Sequence, residues 1–230
     1  MFDSLTGLAP GVEAPADYAG IAPDPGVRRH TFELRATRFL RSFVLSEALD
    51  LARSVQGFWH PTGFMAFHTP LRFGTMPVRV HCWPRGARPV EDRHPELHNH
   101  MWGLASKVLA GTYSETVYAL ERAPDGEYAH YAVDYHGRDD ATVVDDGHRY
   151  RVRTVTTRKY TPGEVHKLGV GVFHETTIPE TECVVTVMVT GPREIDSCSL
   201  VGRPGFPPGR RARRPVTPDE FERAVGDLLR

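Results

Sequence analysis

The sequence predicts an all-β protein whose short antiparallel strands form a jelly-roll sandwich or barrel. Strand-like runs of β-branched and aromatic residues recur at roughly ten-residue spacing from residue 77 onward. Turn signals separate several of them, including Asp125-Gly126 and Asp146-Gly147. Many short strands joined by such turns are typical of antiparallel barrels and jelly rolls.

Composition excludes several kinds of protein. The chain has 230 residues, which suits one domain with terminal additions and allows about 70% of the unfolded surface to be buried. Its formal net charge of −1 argues against nucleic acid or an anionic membrane as a partner. Its three cysteines, Cys82, Cys183 and Cys198, include no C-x-x-C pair, so neither a disulfide framework nor a zinc finger is indicated.

The chain begins without a basic stretch followed by an apolar one, and no apolar run approaches the roughly 18 residues of a membrane span. We therefore expect a cytoplasmic protein with no membrane partner. Whether it pairs into a homodimer is left open by the sequence.

The N-terminal third is predicted to lie outside the barrel. Residues 1–30 are rich in Ala, Pro, Gly and Asp and predict an irregular arm. Residues 31–76 predict a helical and aromatic segment packed on the barrel. Within it, apolar residues at three- and four-residue steps predict a helix over residues 38–55, which Thr37 could cap and Gly57 could end.

The barrel is predicted over residues 77–202. Besides a short strand at His98, the strand-like runs are residues 78–83, 105–109, 112–120, 128–133, 148–156, 163–168, 172–178 and 183–190.

Residues 203–230 predict an irregular Pro- and Arg-rich linker followed by a short helix. Thr217-Pro218-Asp219-Glu220 forms a capping box with proline at the first helical position. The four arginines between residues 210 and 214 could bind phosphate, but in a near-neutral chain a solvated linker is the favoured interpretation.

The chain is organised around Glu96-Leu97-His98-Asn99-His100. Residues i and i+2 of a strand project from one face, so His98 and His100 present two imidazoles side by side. The best candidate for a third ligand is His174, which follows a glycine turn at the start of a later strand. Three imidazoles suit Fe(II), Zn, Ni or Cu and leave coordination positions open for water, substrate or dioxygen.

These two segments resemble the two signature motifs of the cupin superfamily. His98, His100 and Gly111 fall at the first motif's positions, and Leu104 stands where that motif usually has glutamate. The residues that match the second motif are Gly163, Glu164, Gly171 and His174. Gly169 replaces its proline and Ile178 its final asparagine. The resemblance covers about residues 77–192 and implies a cupin barrel whose metal ligands are His98, His100 and His174.

The three-histidine set with Leu104 resembles the cysteine dioxygenase-like cupins, the thiol dioxygenases. Residues 80–83, 107–111 and 115–116 look like the same family. Arg72 lies near the position of that family's carboxylate-binding arginine, a role for which a guanidinium is suited. However, the strand ending at Thr190 lacks the family's His-x-Tyr pair, so we expect a substrate other than a thiol.

Further residues are candidates for the pocket. His166 is interpreted as a fourth ligand or an acid/base, or else as an outward-facing strand residue. Glu115 and Glu164 could orient a ligand imidazole, although ordinary strand-edge roles are favoured. His68 could also enter the pocket, whereas His130 and His148 are expected to be solvated. The substrate-binding candidates are Arg72, His81, Trp102, Leu104, Ser106, Met188 and Thr190, each with an ordinary core or surface role as its alternative.

The leading hypothesis is a mononuclear non-haem Fe(II) oxygenase acting on a small amino-acid-like or carboxylate-bearing metabolite. Substrate and O2 would bind at the three-histidine iron, and His166 and Arg72 would be the catalytic residues. A first alternative is a non-redox isomerase, lyase or hydrolase that uses Zn, Ni or Mn. A second alternative is a cupin that binds a small ligand without catalysis.

Overall fold

The computed structural model describes residues 25–90, 94–137 and 140–229. Most of the predicted irregular arm, residues 1–24, lies outside the described residues. The helices are α1 (Pro25–Arg41), α2 (Leu45–Arg53) and α3 (Pro218–Val225), followed by a 3-10 turn (Gly226–Leu229). No described helix has the length and apolar character needed to cross a membrane.

The strands make up the rest of the architecture. They are β1 (Phe58–Trp59), β2 (Met65–Phe73), β3 (Met76–Trp83), β4 (Leu97–His98), β5 (Leu104–Ala110), β6 (Tyr113–Arg122), β7 (Tyr128–Tyr135), β8 (Asp140–Tyr160), β9 (Val165–Leu168), β10 (Phe173–Thr177), β11 (Val184–Thr190), β12 (Cys198–Gly202) and β13 (Gly209–Ala212).

These strands form two antiparallel sheets. The first has the order β1-β2-β3-β11-β5-β9 and the second the order β13-β8-β6-β10-β4-β12-β7. β8 is long enough to pair with β7 along its first half and with β6 along its second, so it joins the two sides of the second sheet. The predicted all-β jelly-roll architecture, with an N-terminal helical segment and a short C-terminal helix, is confirmed.

The helices cover the outer face of the first sheet. Leu40 of α1 packs with Val187 and Val189 of β11, and Leu49 of α2 packs with Val185. The alternate residues Thr186 and Met188 face the barrel interior. Because both faces of β11 are covered, all seven of its residues are buried, which explains its nearly unbroken apolar sequence.

The helix predicted over residues 38–55 is two helices, and α1 begins earlier than predicted. Pro25–Arg41 is helical, so the last six residues of the predicted irregular arm belong to α1. The helical conformation is interrupted at residues 42–44. There the ammonium of Lys107 donates to the carbonyl oxygens of Arg41 and Phe43 at 2.9 Å each. Both helices pack on the first sheet, so the apolar spacing continues across the break, where this distant lysine satisfies two backbone carbonyls.

Two further predictions need correction. The segment 203–215 is not wholly irregular, because β13 pairs with β8 within it. Asp146-Gly147 is not a hairpin turn but an irregularity inside β8. The capping box predicted at the N-terminus of the last helix, α3, is confirmed. Oγ1 of Thr217 accepts the N–H of Glu220 at 3.2 Å, and the Glu220 carboxylate accepts the N–H of Thr217 at 2.8 Å.

Candidate metal centre

Strand register brings the three predicted ligands together. His174 of β10 lies directly opposite His98 of β4, and His100 follows two residues later. The distance between ring centroids is 4.2 Å for His98 and His174 and 4.9 Å for each of the other two pairs. Ligand nitrogens of all three lie within 4.8 Å of one another, so one metal ion could contact all of them.

Two glycines of the cupin-like motifs support this arrangement. Gly171 has a φ of 70°, which glycine adopts without strain, and its N–H donates to the carbonyl of His100 at 3.0 Å. Gly111 has a φ of 69°, and a Cβ there would lie 2.2 Å from the carbonyl oxygen of Cys183. Gly111 therefore excludes a side chain on steric grounds, and Gly171 is favoured by its backbone conformation.

Backbone carbonyls fix two of the imidazole rings. Nδ1 of His98 donates to the carbonyl of Glu96 at 3.1 Å, and Nδ1 of His174 donates to the carbonyl of Val172 at 3.0 Å. The proton of each neutral ring is therefore on Nδ1, and Nε2 keeps a lone pair for a metal. Burial lowers the pKa of His98, and burial with neighbouring histidines lowers the pKa of His100 and His174 well below 6.5.

A carboxylate, Glu115 of β6, lies beside the three histidines. The β6–β10 register places it opposite Thr176, whose hydroxyl donates to its Oε2 at 2.8 Å. Its Oε1 lies 3.8 Å from Nε2 of His174 and has no hydrogen-bond partner within the described part of the chain. Only 3% of the residue is exposed.

The buried carboxyl of Glu115 bears on whether the site suits a cation. Burial raises the pKa of its carboxyl to about 8, because no positive group compensates for the lost solvation. A divalent ion among the three imidazoles would supply that charge and favour ionisation. The residues present, three neutral nitrogens and one buried carboxylate oxygen, therefore fit a divalent metal ion.

Leu104, which stands where the cupin motif usually has glutamate, has an apolar side chain that cannot bind a metal. It is buried against Leu168 and Met188 and forms an apolar wall. A carboxylate nevertheless reaches the histidines from β6, at a position that sequence reasoning treated only as a candidate to orient a ring. The available signal was the alternation of Gly111, Tyr113 and Glu115, which places the last two side chains on one strand face.

His166 points into the barrel and not outward, since only 5% of it is exposed. Its Nδ1 lies 3.1 Å from the hydroxyl of Tyr113 and 3.9 Å from Oε2 of Glu115. Burial lowers the pKa of His166 to about 4 and raises the pKa of Tyr113, so the neutral forms of both are favoured. A neutral imidazole and phenol in contact form a buried pair able to hold or pass a proton.

The three histidines open onto a cavity of about 590 Å³. Arg79 of β3 reaches it, with its guanidinium carbon 5.0 Å from the centre of the Trp102 ring system. Trp102 in turn stacks on His100, with 6.0 Å between centroids and 13° between planes. A positive group thus lies one aromatic ring away from a predicted metal ligand.

Most predicted pocket residues line this cavity: His68, His81, Trp102, Leu104, Ser106, His166 and Met188. Thr190 is buried but is not among the lining residues. Arg72 is exposed, lies outside the lining and pairs with Pro77 near the end of the β2–β3 hairpin. Glu164 is bound to Arg158 and Thr161 outside the cavity. Arg79, which sequence reasoning missed, lines the cavity.

No protein-family model and no curated protein matches this sequence. Solved structures do match it. One comes from crystal structures of the DMSP lyases RdDddP and RnDddQII, at 14% identity and a TM-score of 0.31, covering 59% of this chain and 51% of that one. Another is an oxalate decarboxylase variant from Bacillus subtilis, at 12% identity and a TM-score of 0.33, covering 62% of this chain and 29% of that one. The chain spans about half or less of the length of these structures. At such scores neither likeness bears on the chemistry of the site.

Proposed function

We propose that the protein is a mononuclear non-haem Fe(II) oxygenase that acts on a small carboxylate-bearing or amino-acid-like metabolite. The observation that carries the proposal is the convergence of three neutral imidazoles and the unpaired oxygen of Glu115 at the wall of one cavity. Histidine with carboxylate is a donor set used by non-haem iron oxygenases. When bound, iron supplies Lewis acidity and one-electron chemistry with dioxygen.

The ligand histidines and Glu115 hold the ion and set its charge. Two of the rings are oriented in advance by their carbonyl bonds, which raises their basicity. Glu115 contributes one negative charge, and its contact with Thr176 fixes the carboxyl group. The site therefore differs from the neutral three-histidine centre that Leu104 alone predicts, because one carboxylate offsets part of the ionic charge.

Arg79 binds the substrate carboxylate in this proposal, and Arg72 does not. A guanidinium offers paired N–H donors that match the two oxygens of a carboxylate. The Trp102 ring beneath Arg79 limits where a bound carboxylate can sit, close to His100. A cavity of about 590 Å³ suits a molecule of metabolite size.

His166 holds the proton needed at the substrate. In the tautomer that suits this role, the protonated phenol of Tyr113 donates to Nδ1 of His166 and the neutral ring carries its proton on Nε2. Ser106, which lies opposite His166 on β5, adds a hydroxyl to the same wall. Leu104 and Met188 supply an apolar part of the wall.

A second candidate is a non-redox lyase or isomerase with Zn, Ni or Mn at the same residues. The Tyr113–His166 pair favours it, because buried proton transfer beside a Lewis acid needs no oxygen. The roles of Arg79 and the metal ligands would be unchanged.

Metal analysis and oxygen uptake separate these functions. Protein purified without oxygen is analysed for metal, stripped, and reloaded with Fe(II), Zn, Ni or Mn. Each form is then assayed for oxygen consumption and for product with a panel of amino, hydroxy and keto acids. Iron-dependent oxygen uptake supports the oxygenase. Turnover with zinc, nickel or manganese under argon supports the non-redox enzyme instead. Ligand binding that survives metal removal, without turnover, indicates a binding protein.

A further inference from the structure

A second group of metal-ligating side chains lies outside the cavity, where β7 and β8 pair. His130 comes from β7, and Asp146 and His148 come from β8. Ligand atoms of all three lie within 4.8 Å of one another. None of the three lines the cavity of the central site. The sequence predicts only solvated histidines here, so the fold itself assembles the group.

An irregularity in β8 builds this cluster. The register pairs Ala129 with Arg149 but Tyr131 with Asp145, so three residues of β8 face the single residue His130. Gly147 lies in the middle of them with a φ of 79°, a conformation that glycine adopts at low cost. A bulge of this kind re-aims side chains, and here it directs Asp146 and His148 towards His130.

One carboxylate oxygen joins the two imidazoles. Oδ2 of Asp146 lies 2.7 Å from Nδ1 of His130 and 3.0 Å from Nδ1 of His148. Its Oδ1 accepts the backbone N–H of His148 at 3.0 Å, which fixes the carboxyl plane. Although burial opposes it, this N–H bond and the two histidines lower the pKa of Asp146 below its ordinary value. The carboxylate is therefore ionised at neutral pH.

We propose that His130, Asp146 and His148 form a second divalent-metal site, which takes a borderline ion such as Zn²⁺ or Ni²⁺. On binding, each Nδ1 gives its lone pair to the ion, and the proton of each neutral ring is carried on Nε2. No net charge is lost from the rings, and Asp146 supplies one negative charge. Side-chain exposures of 16%, 27% and 40% leave the outer positions of the ion open to water.

Two of the three ligand distances require little rearrangement, and the third, between the two imidazole nitrogens, is within 4.8 Å. Metal–ligand bonds of about 2.0–2.2 Å place neighbouring ligand atoms roughly 3.0–3.5 Å apart. The present distances of 2.7 and 3.0 Å between Asp146 and the two rings need to open by a few tenths of an ångström. A bound ion would tie β7 to the bulge of β8, so it stabilises the folded chain in proportion to its binding.

The chain offers a matched control in His136. It follows β7, is exposed, and its Nε2 lies 2.8 Å from the hydroxyl of Thr142, with no carboxylate in the contact. Replacing it removes one surface histidine of the same region without touching the cluster.

The test is a zinc titration of the chelator-stripped full-length protein, followed by calorimetry and by metal analysis after desalting. We expect two equivalents for the wild type and His136→Ala, and one for His148→Ala and Asp146→Asn. His98→Ala should keep the surface equivalent, and the His98→Ala/His148→Ala double variant should lose both. Zinc should also raise the melting temperature of the wild type more than that of His148→Ala.

Two results would overturn the proposal. One is a His148→Ala variant that binds as much zinc as the wild type. The other is a single wild-type equivalent that His98→Ala abolishes. Failure of the central site gives a different pattern, in which the zinc lost with His148→Ala is the whole amount bound. Metal-free melting curves of the His148→Ala and His136→Ala variants should overlay, which checks that folding is not the cause.

Discussion

The two histidine clusters differ in how the protein prepares them for a cation. In the central cluster His174 is buried and His98 and His100 are half-buried, and Glu115 beside them is nearly inaccessible. The rings of His98 and His174 also donate to backbone carbonyls. In the surface cluster the rings share one carboxylate oxygen of Asp146 at the edge of solvent. At the first site a divalent ion would favour ionisation of the buried Glu115 carboxyl, whereas at the second site the Asp146 carboxylate already contacts both imidazoles. Depth therefore separates a site suited to chemistry from one suited to cross-linking two strands.

The largest expected effect comes from removing one ligand of the central cluster. His174→Ala should abolish stoichiometric central metal and lower its affinity by more than about 100-fold, because one of three convergent nitrogens is lost. His148→Ala should leave that metal and any turnover unchanged. Metal analysis and activity of the two variants make the measurement. Central metal retained at full occupancy in His174→Ala would contradict the ligand assignment.

Glu115→Gln should weaken metal binding at the central site but stabilise the metal-free protein at high pH. Loss of the carboxylate should weaken central metal binding by about 10- to 100-fold. In the metal-free protein, the pKa of Glu115 is raised from 4.5 to about 8, so the folded state holds a proton that the unfolded chain releases. Stability therefore falls as the pH rises between those values.

Glu115→Gln removes that pH-dependent loss. The metal-free variant should be more stable than the wild type at pH 8 and should approach it near pH 5. Urea unfolding of both stripped proteins across this range gives the answer. A wild type that gains stability on passing from pH 5 to pH 8 relative to the variant would show that the carboxyl is solvated or already paired.

The cavity beside the central cluster provides a further contrast, between two arginines of one hairpin. Arg79→Ala should raise KM for a carboxylate-bearing substrate by about tenfold or more, since a charge-assisted contact is lost. Arg72→Ala should leave KM unchanged, because Arg72 is outside the cavity. Steady-state kinetics of both variants test this. Equal effects of the two substitutions would argue for a general effect of positive charge.

The smallest expected effect lies far from both clusters. Thr217→Ala removes the side-chain acceptor at the start of α3 and should cost about 1 kcal/mol of stability. Zinc stoichiometry should remain as in the wild type at both sites. Thermal unfolding and metal analysis together show whether a loss of stability alone can mimic the loss of a site.

Local patterns in the sequence predicted much of the fold and part of the central site. Strand alternation identified most of the barrel, and the His-x-His pair with His174 predicted three side chains that the structure brings together in the candidate metal centre. What it missed depends on contacts between distant residues. Lys107 of β5 donates to a carbonyl at the break between α1 and α2, a contact that helical periodicity does not show. The bulge around Gly147 has the local sequence of a turn. Arg79 and Arg72 cannot be ranked without the hairpin register, which decides which guanidinium reaches the cavity.

Alternate residues of β11 lie in two different surroundings. Its valines at 185, 187 and 189 face the helices, where a change of volume disturbs packing. Thr186 and Met188 face the cavity next to the candidate metal centre. Libraries confined to those two positions should therefore alter which molecules the protein accepts while leaving the helical layer intact. The same alternation offers protein engineers a handle on selectivity that is physically separate from the scaffold.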